Sequence, residues 1–314
     1  MKKVLVLGGS GFVGRHVCEQ LNRAGIRATV PTRRIANAQT VQTLPLVDVI
    51  EADVHDEAAL ARLLPGHDAV VNLVAVLHGS EKHFEQVHVE LPRRLARAMQ
   101  ASGVTRLVHI SALGADADGP SLYQRSKARG EAVLAEAGLA LTVLRPSVVF
   151  GAEDQFLNLF ARLQAGLPVV PLAGADTRFQ PVWVGDVAQA VVRCLQQPDT
   201  AGQTYECVGP QVWTLADLVR LAGRLSGHPR TVLGLPRALA YFQALFMECL
   251  PGKPLMSTDN LRSMEVDNVA SGHLPTQQAL GVPATALEPV AASYLDLAGK
   301  ADPLLNVRRF AHRR

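Results

Sequence analysis

The sequence predicts an α/β fold, a doubly wound parallel sheet that carries a smaller C-terminal lobe for a substrate or partner. Three observations predict it. Short apolar runs alternate with helix-like stretches from the first residues on, the first run ends in a glycine loop, and the alternation loosens after Gly151. Residues 1–150 are read as the nucleotide domain, with 181–207 rejoining it, and residues 151–180 and 208–314 as the lobe.

The opening stretch MKKVLVLGGSGFVGRH begins with Lys2 and Lys3, yet Gly8 and Gly9 interrupt its apolar run, so it is not read as a secretory leader. The run Val4 to Leu7 reads as a strand buried on both faces. Gly8, Gly11 and Gly14 follow at the spacing G-x-x-G-x-x-G, with Phe12 and Val13 between them. Such glycines permit a tight turn, bring backbone amides close to a pyrophosphate and place it at a helix N-terminus. The pattern is weak alone; a strand before it and an amphipathic helix after it strengthen the reading of a Rossmann-type dinucleotide loop.

Further strands are expected at Ala28 to Pro31, Asp48 to Ala52, Ala69 to Val76, Arg106 to Ser111 and Ala140 to Leu144, with helices between them. The second strand ends in TVPTRR, where the adenosine ribose of a dinucleotide lies. An acidic residue there would accept from a 2′-hydroxyl, whereas Arg33 and Arg34 match a 2′-phosphate, so NADP(H) is preferred over NAD(H). The alternative is a pair of solvated loop charges. Asp53, with Val54 beside it, is a candidate for the adenine amino group or for capping the helix from Asp56. Asn72, polar within a buried run, is assigned a structural hydrogen bond to a neighbouring loop, and Ala75 is placed beneath the cofactor.

Composition limits the function classes. The chain has 314 residues, 48% hydrophobic and 19% charged, with a formal net charge of only +3, which gives no electrostatic case for nucleic acid. Cys18, Cys194, Cys207 and Cys249 have neither metal-ligand nor disulfide spacing, which points to a reducing, cytoplasmic setting and no metal. No apolar run approaches the ~20 residues that span a bilayer. The terminal NVRRFAHRR, with Arg308, Arg309, Arg313 and Arg314, is either a solvated tail or a contact with the inner face of a membrane or an acidic partner.

The candidate chemistry lies at Ser111, Tyr123 and Lys127. Tyr123 and Lys127 are four residues apart in YQRSK and share a helix face, while Ser111 ends the fifth strand. An ammonium favours the ionised phenol, so Lys127 is expected to tune Tyr123 as proton donor to a carbonyl whose oxygen Ser111 holds. Lys127 is also expected to bond the nicotinamide ribose. A lone Y-x-x-x-K is equally a part-buried tyrosine beside a surface lysine.

GGSGFVG, ISALG, YQRSK and RPSVVFG together resemble the short-chain dehydrogenase/reductase superfamily, in its extended or atypical branch. FQPVWVGDVAQAV, YECVGP and PLMSTDNLRSMEVDNV resemble its complex I accessory-subunit group, alpha subcomplex subunit nine, and bacterial relatives. The superfamily resemblance implies NAD(P)H binding and oxidoreductase chemistry, with Pro146 of RPSVVFG on the nicotinamide side. The subgroup resemblance implies a held NADPH in a structural, assembly or redox-sensing role near a quinone-reducing respiratory complex.

In the lobe, AEDQFLNLFARLQAG reads as one amphipathic helix, Pro181 to Val184 as a short strand, and Asp186 as the N-cap of the next helix. Trp183 and Trp213 read as core. Tyr241, Phe242, Leu245, Phe246 and Met247 give a helix with an apolar face too wide for a simple stripe, suited to a quinone-like molecule, a membrane surface, a partner or the lobe's own core. Few polar residues cluster here, which ranks a nucleotide-sugar reductase or epimerase third.

Overall fold

The computed structural model describes residues 1–249 and 256–299. The basic tail from Arg308 to Arg314 lies outside them. A seven-stranded sheet is built from β1 (Lys3–Leu7), β2 (Arg27–Thr32), β3 (Val47–Glu51), β4 (Ala69–Asn72), β5 (Arg106–Ile110), β6 (Ala140–Pro146) and β7 (Thr204–Cys207). Every pairing is parallel and the order is β7-β6-β5-β4-β1-β2-β3. The order reverses between β1 and β4, which opens the ligand crevice at their carboxyl ends.

Val4 to Leu7 of β1 are fully buried, as a central parallel strand requires. Helix α1 (Phe12–Arg23) covers one face through Val17, Cys18 and Leu21. Helices α2 (Glu57–Leu63) and α3 (Leu91–Ser102) cover the other through Leu60, Leu95 and Met99. Helix α4 (Leu122–Ala135) connects β5 to β6 on that second face. In the lobe, α5 (Leu157–Gly166), α7 (Leu215–Leu225) and α10 (Leu287–Gly299) share a separate core, while α6 (Val184–Gln196) returns to pack on α1. Helices α8 (Arg237–Cys249) and α9 (Thr258–Ser263) complete the described helices of the lobe that concern the site. No helix among the described residues is long and apolar enough to cross a membrane.

Three local expectations are corrected. β4 stops at Asn72, not Val76, because the Asn72 side chain accepts from the Val74 amide at 3.2 Å and turns the chain. That bond, with another from Asn72 to His109 Nδ1 at 3.2 Å, is the structural role expected of Asn72. The helix expected from Ala152 begins at Leu157, since the buried Asp154 carboxylate accepts from the amides of Gly151, Phe156 and Asn158 and from Tyr294 Oη and holds the approach as a loop. Asp186 is not an N-cap: α6 is capped at Trp183 without a side-chain bond, and Asp186 accepts from Thr285 N and Oγ1 at 2.7 and 2.8 Å. That fastens α6 to the approach to α10.

Ahead of α3 the chain makes a π-helical turn, Glu85–Glu90, a geometry frequent at functional sites. His88 within it is buried. The Val76 amide donates to its Nε2 at 3.1 Å, so Nδ1 carries the proton and donates to Ser126 Oγ at 2.8 Å; that hydroxyl donates to Tyr123 O at 2.9 Å. A Cβ on Gly130 would sit 2.0 Å from His88 O, so only glycine lets α4 rest on this turn.

Burial, with Lys127 nearby, lowers the pKa of His88 from 6.5 to about 3. The unfolded chain therefore binds the additional proton between those values, and the contribution is lost as pH falls through that window, by up to about 1.4 kcal/mol per pH unit. His88→Asn is expected to make the fall of thermal midpoint between pH 6.5 and 4 shallower than in wild type. Parallel curves would remove His88 as a source of acid sensitivity.

Candidate functional site

Gly8, directly after β1, has φ +81°, where a side chain is strained. A Cβ on Gly14 would lie 2.1 Å from Gly8 O, so the helix approaches the loop only as glycine. α1 starts after Gly11 with no side-chain cap, which leaves first-turn amides to meet an anionic ligand. Phe12 and Val13 are part-buried on that turn. The Arg15 guanidinium lies 5.7 Å from the Phe12 ring centre and pairs with Glu153, which ties the loop to the lobe. This cradle suits a dinucleotide pyrophosphate.

Arg33 and Arg34 are exposed just beyond β2, and neither has an ion-pair partner among the described residues. Asp53 is also exposed. Its Oδ1 accepts from the His55 amide at 3.0 Å, while Asp56 caps α2 through the Ala58 amide, also at 3.0 Å. Val54 is part-buried and Ala75 exposed beyond β4. Burial, then the charges of Arg33 and Arg94, hold His55 below its usual pKa against the pull of Asp53. Arg94, which donates to His55 O at 2.5 Å, thus belongs to the same basic edge; its place on a helix far along the chain hid this from the sequence.

Ser111, Tyr123 and Lys127 come from the end of β5 and the first turns of α4. Ser111 Oγ is buried with no hydrogen-bond partner among the described residues, which makes it a donor available to a ligand oxygen. Lys127 is 2% exposed, and its Nζ donates to Ile110 O at 2.9 Å, beside Ser111. Burial lowers its pKa to about 8 despite Glu131, and burial raises the Tyr123 phenol to about 12. With the Lys127 ammonium committed to a β5 carbonyl, desolvation dominates at Tyr123 and keeps the phenol protonated. Pro146 is buried at the end of β6.

Sequence reasoning missed His88, whose ring packs edge-on to Tyr123 at 5.6 Å and tilted on Phe84 at 5.4 Å. The one signal was a polar residue between Val87 and Val89. The apolar helix α8 exposes Leu239, Tyr241, Phe242 and Leu245, with Phe242 at 70%. A separate cavity of about 840 Å³ runs along the other flank of α4, past Ala128, Glu131, Ala132 and Arg145, and takes in none of the three candidate catalytic residues.

Residues 4–207 match the NAD dependent epimerase/dehydratase family. The chain is 31% identical over 290 residues to the mouse protein named NADH dehydrogenase [ubiquinone] 1 alpha subcomplex subunit 9, mitochondrial, covering 90% of this chain and 77% of that one. It is 28% identical over 235 residues to the ceramide reductase of Caulobacter vibrioides, covering 74% of this chain and 73% of that one. Its fold is similar to that of the UDP-glucose 4-epimerase from Bifidobacterium longum in complex with NAD+ and UDP, with TM-score 0.74, 18% identity and coverage of 96% and 99%. A glycine cradle at the switch point, a Ser/Tyr/Lys set on β5 and α4, and these matches together show that the chain belongs to the NAD dependent epimerase/dehydratase family of short-chain dehydrogenases/reductases, as a relative of complex I alpha subcomplex subunit 9.

Proposed function

We propose that the chain is an NADPH-dependent reductase of a hydrophobic, quinone-like carbonyl compound. The observation that carries this reading is the buried, unpartnered Ser111 Oγ on the strand end beside the Lys127 ammonium, with Tyr123 one turn before Lys127 on α4. NADP(H) supplies a hydride when bound. Gly8, Gly11, Phe12, Val13 and Gly14 hold its pyrophosphate end, Arg33 and Arg34 its 2′-phosphate, Asp53, Val54 and Ala75 its adenosine side, and Lys127 and Pro146 its nicotinamide side. Ser111 Oγ donates to the substrate oxygen, and Tyr123 Oη gives that oxygen a proton. A phenol held near 12 is fully protonated at neutral pH, which suits reduction rather than proton abstraction from an alcohol.

The apolar face of α8 and the named activity of the bacterial ceramide reductase support a lipid-like substrate. The relatives named as mitochondrial NADH dehydrogenase subunits support a place at a respiratory complex. A second reading, a non-catalytic NADPH-binding assembly or redox-sensing protein, is favoured by one observation: Lys127 lies on Ile110 O and leaves Tyr123 untuned. A nucleotide-sugar activity ranks below both, since the epimerase structures are under 25% identical and share only the fold.

Purified protein with stoichiometric NADPH and a short-chain ubiquinone analogue is expected to lose nicotinamide absorbance, and Tyr123→Phe to lose at least about 99% of that rate. NADPH that stays reduced in both favours the second reading. The rate is expected to fall as pH rises through about 8, where Lys127 loses the charge with which it holds the nicotinamide side of the cofactor. A flat profile up to pH 10 removes Lys127 from that role. Arg33→Ala with Arg34→Ala is expected to weaken NADPH by about tenfold or more and NADH little, read by thermal protection; equal losses end the case for 2′-phosphate recognition.

A further inference from the structure

The segment Ser257 to Asn268 carries no role in the proposed chemistry, yet both of its ends bond to the elements that present the candidate catalytic residues. α4 begins with amides that its own helix cannot satisfy. Ser121 meets the later ones: its Oγ accepts from the Gln124 amide at 3.1 Å and its carbonyl from Arg125 at 3.2 Å. Leu122 and Tyr123 remain. Their amides donate to Asp259 Oδ1 at 2.7 Å and Oδ2 at 3.1 Å, so one carboxylate from the lobe closes the start of the helix at Tyr123 itself.

Nine residues further on, Asn268 joins the other two elements. Its Nδ2 donates to Leu113 O at 3.1 Å, two residues past Ser111, and its Oδ1 accepts from Ser147 Oγ at 2.6 Å, one residue past Pro146. The backbone of Asn268 is held in turn, its amide donating to Arg178 O at 2.8 Å and its carbonyl accepting from Gln180 N at 3.0 Å. Further hydrogen bonds hold the segment between these ends. Ser257 and Asn260 form a capping box on α9, and Thr177 Oγ1 donates to Met264 O at 2.9 Å. Glu248 at the end of α8 accepts from Thr258 N and Oγ1 at 2.8 and 3.0 Å, which anchors the segment on its lobe side.

We infer that Asp259 and Asn268 are positioning residues, and that residues 257–268 act as a clasp that sets Tyr123 against Ser111 and the Pro146 strand end. The inference rests on the reading that these three face the nicotinamide. Removing the Asp259 carboxylate frees two amides at the N-terminus of α4 and lets its first turn, with the phenol, leave its place. Sub-ångström placement is what proton donation in a hydride transfer depends on. Among the described residues the hydrogen bonds of Asp259 and Asn268 go to α4, to the β5 and β6 ends and within the lobe, and none goes to the glycine loop after β1, so cofactor binding there is expected to persist.

The test uses the full chain labelled with 3-fluorotyrosine, whose four tyrosine signals are separated by ¹⁹F NMR and assigned for position 123 by its loss in Tyr123→Phe. Without cofactor, the clasp predicts that the Tyr123 signal moves in Asp259→Ala and by a smaller step in Asp259→Asn, while the signals of Tyr205, Tyr241 and Tyr294 stay in place. NADPH affinity is expected to stay within about threefold of wild type. Where wild type oxidises NADPH, kcat is expected to fall about tenfold or more at unchanged KM. A Tyr123 signal that coincides with wild type in both variants overturns the inference, as does a joint shift of all four signals. Should Asp259→Ala not fold, Asp259→Asn, which keeps one acceptor and the side-chain shape, decides alone. The reading beneath it is scored separately: a wild-type Tyr123 signal that ignores added NADPH refutes the placement of Tyr123 at the cofactor, whatever the clasp variants do.

Discussion

A parallel strand without exposed residues demands helices on both of its faces, and β1 imposes that demand on the whole nucleotide domain. Satisfying it places α1 and α6 on one side and α2, α3 and α4 on the other. It also forces the chain to run outward from β1 in two directions. The crevice at the β1/β4 boundary is the consequence, and the glycine loop can serve it only because Gly14 lets α1 start within contact of the Gly8 carbonyl.

The site at the carboxyl ends is held by buried and part-buried polar groups whose partners come from distant segments. His88, Ser126 and the Val76 amide link the β4 loop to α4. Asp259 and Asn268 link α4 and the β5 and β6 ends to the lobe. Each of these groups costs free energy if left unpaired in a dry interior, so the network specifies one arrangement of the elements as well as stabilising it. Ser111 Oγ departs from this pattern: among the described residues it has no hydrogen-bond partner.

Desolvation dominates the electrostatics of the site. It lowers the pKa of Lys127 to about 8 and raises that of Tyr123 to about 12, so at neutral pH the lysine keeps its charge and the phenol its proton. A protonated phenol and a charged lysine on one face of α4 are the state from which the proposed reduction starts.

Much of this was legible in the residues. The strand and helix alternation, the glycine spacing and the paired Tyr123 and Lys127 are local patterns, and local patterns are set by period and by backbone conformation. The ends of the elements were less legible: β4 and α5 are cut short by the side chains of Asn72 and Asp154, and Asp186 serves Thr285 instead of its own helix. His88, Arg94, Asp259 and Asn268 escaped entirely, because each acts on a residue tens of positions away or more. The sequence by itself determined the fold class, and it offered the glycine loop and Tyr123 as candidates, since these depend on neighbours along the chain. Only the tertiary structure decided how Tyr123 is held, where the Lys127 charge goes and which hydroxyl is left without a partner, since burial and hydrogen-bond partners exist only once distant segments meet.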